Sequence, residues 1–372
     1  MRYCGTARSR GTGSLLTVLA SGWLATPANG YRFFDRHGGL HRIASVAGAI
    51  RWDPSAFPLR FRLLETGNLP DVPGFDAALW RESAERGIRA WSEIATADLA
   101  IVLEAETVAA EQGRVGDGIN TIGFSSLDSV AGGPFATADV QYTRGWVTGC
   151  DIHFSPSYLE GRSLDAPIAF EELVDYLART VMHEIGHCLG LAHSAMNPTW
   201  LARPGMLDRP PGYLPNGVSS LQPHPRMSYG TIRTVVLEPD DAVGASLLYP
   251  APGFVASRGA LTGRVMLANG QPAPFVYVQS VSYGADGAVF GAGEFTDSWG
   301  QFLLEGLEPG FRHFWIRPLH QILAHSFIAD AVAAGSLELQ HEQRRFEIRR
   351  GEVTRAPDIT VLSVRDRRET SP

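Results

Sequence analysis

Apolar and polar residues alternate over residues 58–64, where Phe61 and Leu63 fall on one face of a half-buried strand. The period then changes. Across 76–95, Trp80, Ala84, Ile88, Trp91 and Ala95 recur at spacings of three and four, which predicts a helix packing two tryptophans on a sheet. Strand-like segments follow at 99–103, 120–124 and 150–154, separated by glycine-rich loops. A second long helix is predicted over 170–189. From 194 to 226 Pro, Gly and Asn accumulate without a sustained period, so this is a long loop, and loops of that length usually carry function. A short helix is predicted at 239–248, opened by Pro239, a residue suited to a first helical turn.

The stretch APGFVASRG then reads as a linker, centred on 253–258. Beyond it lie short β-rich runs at 261–267, 275–281, 302–307, 314–317 and 345–348. Asn269-Gly270 supplies a hairpin turn and Gly300 a second, a pattern that argues for a small all-β sandwich over 259–364 with a charged tail at 365–372. The fold expected is therefore α+β over 31–252, followed by the sandwich. A chain of 372 residues, 44% hydrophobic and 19% charged, is long enough for two cores.

Residues 1–30 read as an export signal: Arg2, Arg8 and Arg10, an apolar stretch over 15–25, then the small-residue run ATPANG. That predicts a secreted, extracellular or periplasmic protein. No later stretch approaches the roughly 20 apolar residues a membrane span needs. The net charge of -7 and pI near 5.9 give no footprint for a nucleic acid partner. Every basic side chain besides histidine is Arg, which reflects coding bias and says nothing about chemistry.

The chemistry is concentrated in HEIGHCLGLAH, residues 183–193. On a helix His183 and His187 stand one turn apart on one face, so both imidazoles can reach one metal ion. Gly190 can end the helix at positive φ and bring His193 in as a third nitrogen ligand. Three histidines leave the fourth position of a tetrahedral zinc open for water, and Glu184 is placed to take that water's proton. A structural zinc would call for a fourth protein ligand, and Cys188 points about 100° away round the helix. Five fixed positions at this spacing arise by chance in on the order of 1 in 100,000 such chains, which favours a catalytic site over coincidence.

This segment fits the pattern of the metzincin zinc peptidases, His-Glu-x-x-His-x-x-Gly-x-x-His. AIRWDPSAFPLRFRL, DGINTIGF, GCDIHF and LEPDDAVGASLLYP resemble the opening strand, middle strands and closing helix of the matrixin branch. The resemblance spans 31–250 and implies a twisted mixed sheet, an active-site helix and a methionine turn beneath the metal. Met227 in PRMSYG is the matching methionine; Met196 lies too close to His193, and Met206 is a weaker rival. The loop from His193 to Met227 is much longer than in typical matrixins. Tyr229 stands two places after Met227, as in astacins and serralysins, which implies an oxyanion stabiliser; the alternative is a residue of the pocket wall.

Asp139 and Asp151 resemble places where matrixins hold structural calcium. The ordinary reading is solvated loop carboxylates, and no calcium ligand is assigned. His153 and His224 are not assigned to the metal. Neither Cys150 nor Cys188 lies upstream of the catalytic region, so latency through a thiolate on zinc is not supported. With Cys4 removed in the leader, these two could form a disulfide, or remain buried thiols. GRVMLANGQPAPFVYVQSV and TDSWGQFLLEGLEPGF resemble the carboxypeptidase-regulatory-like sandwich domains appended to secreted bacterial enzymes, which implies a spacer or a surface- or substrate-binding module. The expected activity is zinc-dependent cleavage of protein or peptide substrates. The competing expectation is a cell-surface binding protein whose sandwich recognises a ligand and whose zinc site does not turn over.

Overall fold

The computed structural model describes residues 14–19, 32–34, 46–65, 69–109, 116–125, 136–160, 170–192, 227, 235–274, 276–284, 287–317 and 340–361. Its first part contains strands β1 (Ser14–Leu19), β2 (Arg32–Phe33) and β3 (Leu59–Leu64), then helix α1 (Ala77–Ser92). There follow β4 (Ile101–Val108), β5 (Asn120–Phe124), β6 (Ala136–Thr143), β7 (Trp146–Phe154), α2 (Pro156–Glu160), α3 (Phe170–Cys188), β8 (Leu191–Ala192) and α4 (Pro239–Leu248). Six strands form one mixed sheet in the order β1-β6-β7-β5-β3-β4. Within it β4, β3, β5 and β7 are mutually parallel, and β6 returns antiparallel to β7.

Parallel neighbours need a crossover, and α1 supplies the one between β3 and β4. Asp76 caps it, accepting the Leu79 amide at 2.8 Å, and its buried stripe runs through Leu79, Trp80, Ala84, Ile88 and Trp91. Helix α3 packs against α1 and, on its other side, against β6 and β7. Trp80 sets its indole tilted against Phe124 of β5 and edge to face against Phe154 of β7, both centroids at 4.9 Å, so helix and sheet share an aromatic seam.

The second part begins with α5 (Phe254–Ser257), followed by β9 (Gly259–Leu267), β10 (Tyr277–Gly284), β11 (Gly287–Phe295), β12 (Gln301–Leu307) and β13 (Gly310–Arg317). The last strands are β14 (Gln340–Ile348), β15 (Val353–Arg355) and β16 (Ile359–Val361). One sheet runs β11-β10-β13-β14; the other runs β12-β9-β15, with β16 also on β9. Their facing side chains, among them Leu261, Val265, Val278, Phe302, Phe314 and Ile348, form a second core. The architecture is mixed α+β with a sandwich-like β region.

Three expectations are corrected. Residues 253–258 are no free linker: they form α5, and Phe254 is buried in the first core because its ring is too apolar to leave in water. Strands β6 and β11 were not legible as strands, since ATADVQYT offers only alanines and one valine as apolar positions before Tyr142 and GAVFGAGEF carries three glycines, which weaken any strand pattern. Finally, Ser14–Leu19, inside the expected leader, forms a strand on β6, with Ser14 opposite Tyr142 and Leu19 opposite Thr137. The run SLLTVL is apolar and carries two β-branched residues, so it suits the outer edge that β6 presents.

Candidate metal centre

Helix α3 is held by its apolar stripe, Val174, Leu177, Ala178, Val181, Ile185 and Cys188, all fully buried. The stripe leaves His183 half-buried and His187 fully buried, with their rings edge to face at 4.7 Å between centroids. His187 Nδ1 lies 2.8 Å from the Leu191 carbonyl oxygen. A carbonyl only accepts, so Nδ1 carries the proton and Nε2 keeps a lone pair for a metal. Burial, helped by His183, holds the His187 pKa well below the usual imidazole range, against the opposing Leu191 carbonyl. The ring is therefore neutral, the metal-binding form.

The chain leaves α3 at Gly190, which has φ +100°. A Cβ there would collide with the Ile50 carbonyl oxygen, so glycine is required twice over. Three carbonyls at the end of the helix find donors. Gly190 N–H donates to His187 O at 2.9 Å, the Trp52 indole to Cys188 O at 2.8 Å, and the Tyr249 hydroxyl to Leu189 O at 2.6 Å. Tyr249 in turn accepts the Trp52 amide at 3.0 Å, and burial raises its phenol pKa. Beyond the turn, β8 pairs with β2, and Phe34 donates its amide to Gly190 O at 2.9 Å while its ring sits 5.8 Å from His187. The chain is thus fixed up to Ala192, immediately before His193. His193, Tyr229, His224 and the loop 193–226 lie outside the described residues.

Glu184 has zero exposure, and neither carboxylate oxygen has a hydrogen-bond partner among the described residues. Burial pushes its pKa well above the usual carboxylate range. An unpaired buried carboxyl is costly, and such groups persist chiefly where chemistry uses them. Met227 is buried beneath the helix: a Cβ on Gly186 would collide with its Sδ and come within 2.9 Å of the Trp91 ring. Gly186 is thus the flat spot on which the thioether rests. The Met227 amide donates to Asp241 Oδ1 at 3.0 Å, and Asp241 Oδ2 accepts the Glu238 amide at 3.0 Å within the capping box of α4.

Cys150 of β7 and Cys188 of α3 are joined as a disulfide, with Cα atoms 5.6 Å apart. The aspartates read as loop carboxylates are instead strand residues. Asp151 is buried on β7, accepting Thr121 N–H at 3.1 Å, Thr121 Oγ1–H at 2.8 Å and the Gln141 amide at 3.2 Å. Burial, opposed by the Thr121 bonds and assisted by Asp117 and Asp139, pushes its pKa up to about 6. Asp139 lies on β6, its Oδ2 3.7 Å from His153 Nε2, and His153 Nδ1 meets Ser125 Oγ at 3.1 Å. Among the described residues no three His, Cys, Asp or Glu side chains converge as a metal cluster, and His183 with His187 make only a pair.

Trp52, Tyr249, Gly186 and Asp241 were not singled out as site residues from the sequence. Only Gly186 left a signal, since glycine inside a helix costs about 1 kcal/mol relative to alanine and so points to a close approach.

No family model and no curated protein matches the chain. Solved structures give distant, partial likenesses that include pilin domains. A minor pilin of Streptococcus agalactiae is 14% identical over 30% of this chain and 46% of its own, with a TM-score of 0.20. A major pilin subunit of Bacillus cereus is 16% identical over 28% of each chain, at 0.21. The 5-hydroxyisourate hydrolase of Klebsiella pneumoniae is 16% identical over 28% of this chain and 87% of its own, at 0.19. This chain spans less than half the length of the two pilins.

Proposed function

We propose that the chain is an exported zinc-dependent endopeptidase of the metzincin type, with its catalytic part at 31–252 and its metal held by His183, His187 and His193. The observation that carries this reading is the pairing of a neutral His187, its Nδ1 bonded to a carbonyl, with the buried carboxyl of Glu184, which has no hydrogen-bond partner among the described residues. These donors fit zinc: two imidazoles on one helix face, followed by a turn at Gly190 that ends the helix three residues before His193. When bound there, zinc supplies Lewis acidity, which makes water nucleophilic near neutral pH and polarises a peptide carbonyl.

Glu184 is the general base. Its carboxylate takes a proton from the attacking water and returns it to the leaving amine nitrogen. His187 is oriented by Leu191, so its Nε2 cannot swing away from the shared face. Met227 supports that face from below, and Tyr229 is assigned either the developing oxyanion or the pocket wall. No helix among the described residues is long and apolar enough to cross a membrane.

A second reading is a cell-surface binding protein with a sandwich ligand module and a zinc site without turnover. One observation is compatible with it: Tyr283, Trp299 and Phe311 of the sandwich are more than half exposed, and would serve a binding surface if they form one patch. The pilin likenesses sit with this reading, but at TM-scores near 0.2 they carry no argument. Cleavage of an unstructured protein with and without a chelator separates the two. Chelator-sensitive cleavage supports the peptidase; zinc bound at one equivalent with no cleavage supports the binding module.

A further inference from the structure

Helix α4 carries two adjacent buried aspartates, Asp240 and Asp241, about 100° apart round its axis. Asp241 reaches back to the Met227 amide beneath α3. Asp240 reaches the other way: its Oδ1 accepts the backbone N–H of Gly293, in β11 of the sandwich, at 3.0 Å. A second anchor lies one turn along. Val243 covers Gly306 at the end of β12 so closely that a Cβ there would stand 2.6 Å from Val243 Cγ1. Ala292, next to Gly293, and Phe254 of α5 are buried in the first core, not the second. The sandwich therefore grips α4 by a side-chain hydrogen bond and by packing.

We propose that the sandwich is a built-in brace for the candidate metal centre, with Asp240 as the positioning residue. Adjacent residues of one helix move together, so holding Asp240 to Gly293 holds Asp241, and through it Met227 under Gly186, between His183 and His187. The meaning for catalysis rests on the proposed zinc site; the mechanical coupling does not.

The test is hydrogen exchange on the full chain. Asp240→Ala should speed exchange of the segment containing Met227 about tenfold, alongside that containing Gly293, and leave β3 and β16 unchanged. Asp240→Asn keeps an oxygen acceptor for Gly293 and should restore most of the protection. Val243→Ala, a milder change at the second anchor, should act on the Met227 segment in the same direction by about threefold, and reads the coupling should Asp240→Ala not fold. Zinc retention against a chelator should follow the same order. Faster exchange at Gly293 with Met227 unaltered in both alanine variants would overturn the brace. So would an Asp240→Asn variant as loose as Asp240→Ala. Should the wild-type chain hold no zinc, the metal reading fails, while the exchange result still decides the brace.

Discussion

In the sandwich, complete burial falls on apolar side chains: Leu261, Val265, Val276, Val278, Phe302 and Phe314. Around α3 the same complete burial falls also on Glu184, His187 and Asp151. Burying an ionisable group costs free energy unless bonds compensate, and the three differ in how far they are compensated. Asp151 receives three hydrogen bonds and is structural; His187 has one carbonyl, enough to set its tautomer. Glu184 has none among the described residues. Among the fully buried ionisable groups around α3 that unrelieved cost falls on Glu184, and a buried carboxyl left so is a mark of chemistry. The buried acids of the sandwich differ, since Glu294 accepts the Phe295 amide and Asp297 the amides of Trp299 and Gln301.

The largest test of this contrast is the disulfide. The sandwich contains no cysteine, so reducing Cys150–Cys188, which closes a separation of 38 residues, should act directly on the first part and reach the sandwich only through its contacts with α4. The expected loss is about 4 kcal/mol in the first part and a smaller one in the sandwich. Labelling the denatured, unreduced chain should leave Cys150 and Cys188 unmodified; reaction at both would remove the bridge from the account.

Two glycines give the next contrast. Gly190 and Gly270 have similar positive φ, +100° and +81°, but Gly190 faces the Ile50 carbonyl whereas Gly270 has open space around it. Gly190→Ala should cost about 3 kcal/mol, combining backbone strain with a clash. Gly270→Ala should cost about 1 kcal/mol, from the left-handed conformation alone. Equal losses would mean that the turn after α3 is no tighter than an ordinary hairpin.

A smaller effect is expected from Asp151. Its folded pKa of about 6 lies above the ordinary 3.8, so between those values the folded state keeps a proton that the unfolded state has released. Stability from this group is therefore fully present below about pH 3.8 and lost as pH rises through 6, by at most about 3 kcal/mol. Asp151→Asn should flatten that part of the thermal-unfolding profile. An unchanged slope would assign the pH dependence to other groups.

Much of this was readable from residue order. The spacing of Trp80, Ala84, Ile88 and Trp91 announced α1, Pro239 marked the start of α4, and HEIGHCLGLAH put two histidines on one helix face with a glutamate beside them. What was not readable depends on long-range partners. Nothing near Trp52 or Tyr249 signals that they close the end of α3 from about 135 and 60 residues away. Nor does β11, with its glycines, signal that it would meet Asp240. Local pattern reports periodicity and turn chemistry; carbonyl partners and seams between sheets and helices are set by tertiary packing, which leaves no local trace.

The account stands most directly on Glu184. Glu184→Gln keeps the size of the side chain and removes its ability to take a proton, so the variant, purified at one equivalent of zinc, should cleave a peptide substrate at least about 100-fold more slowly than the wild type. Zinc content should stay near one equivalent, because the imidazoles are untouched. Retention of zinc with that loss of turnover is the result the account predicts. Turnover within a few-fold of wild type, or a wild-type protein that binds zinc and cleaves nothing, would contradict it.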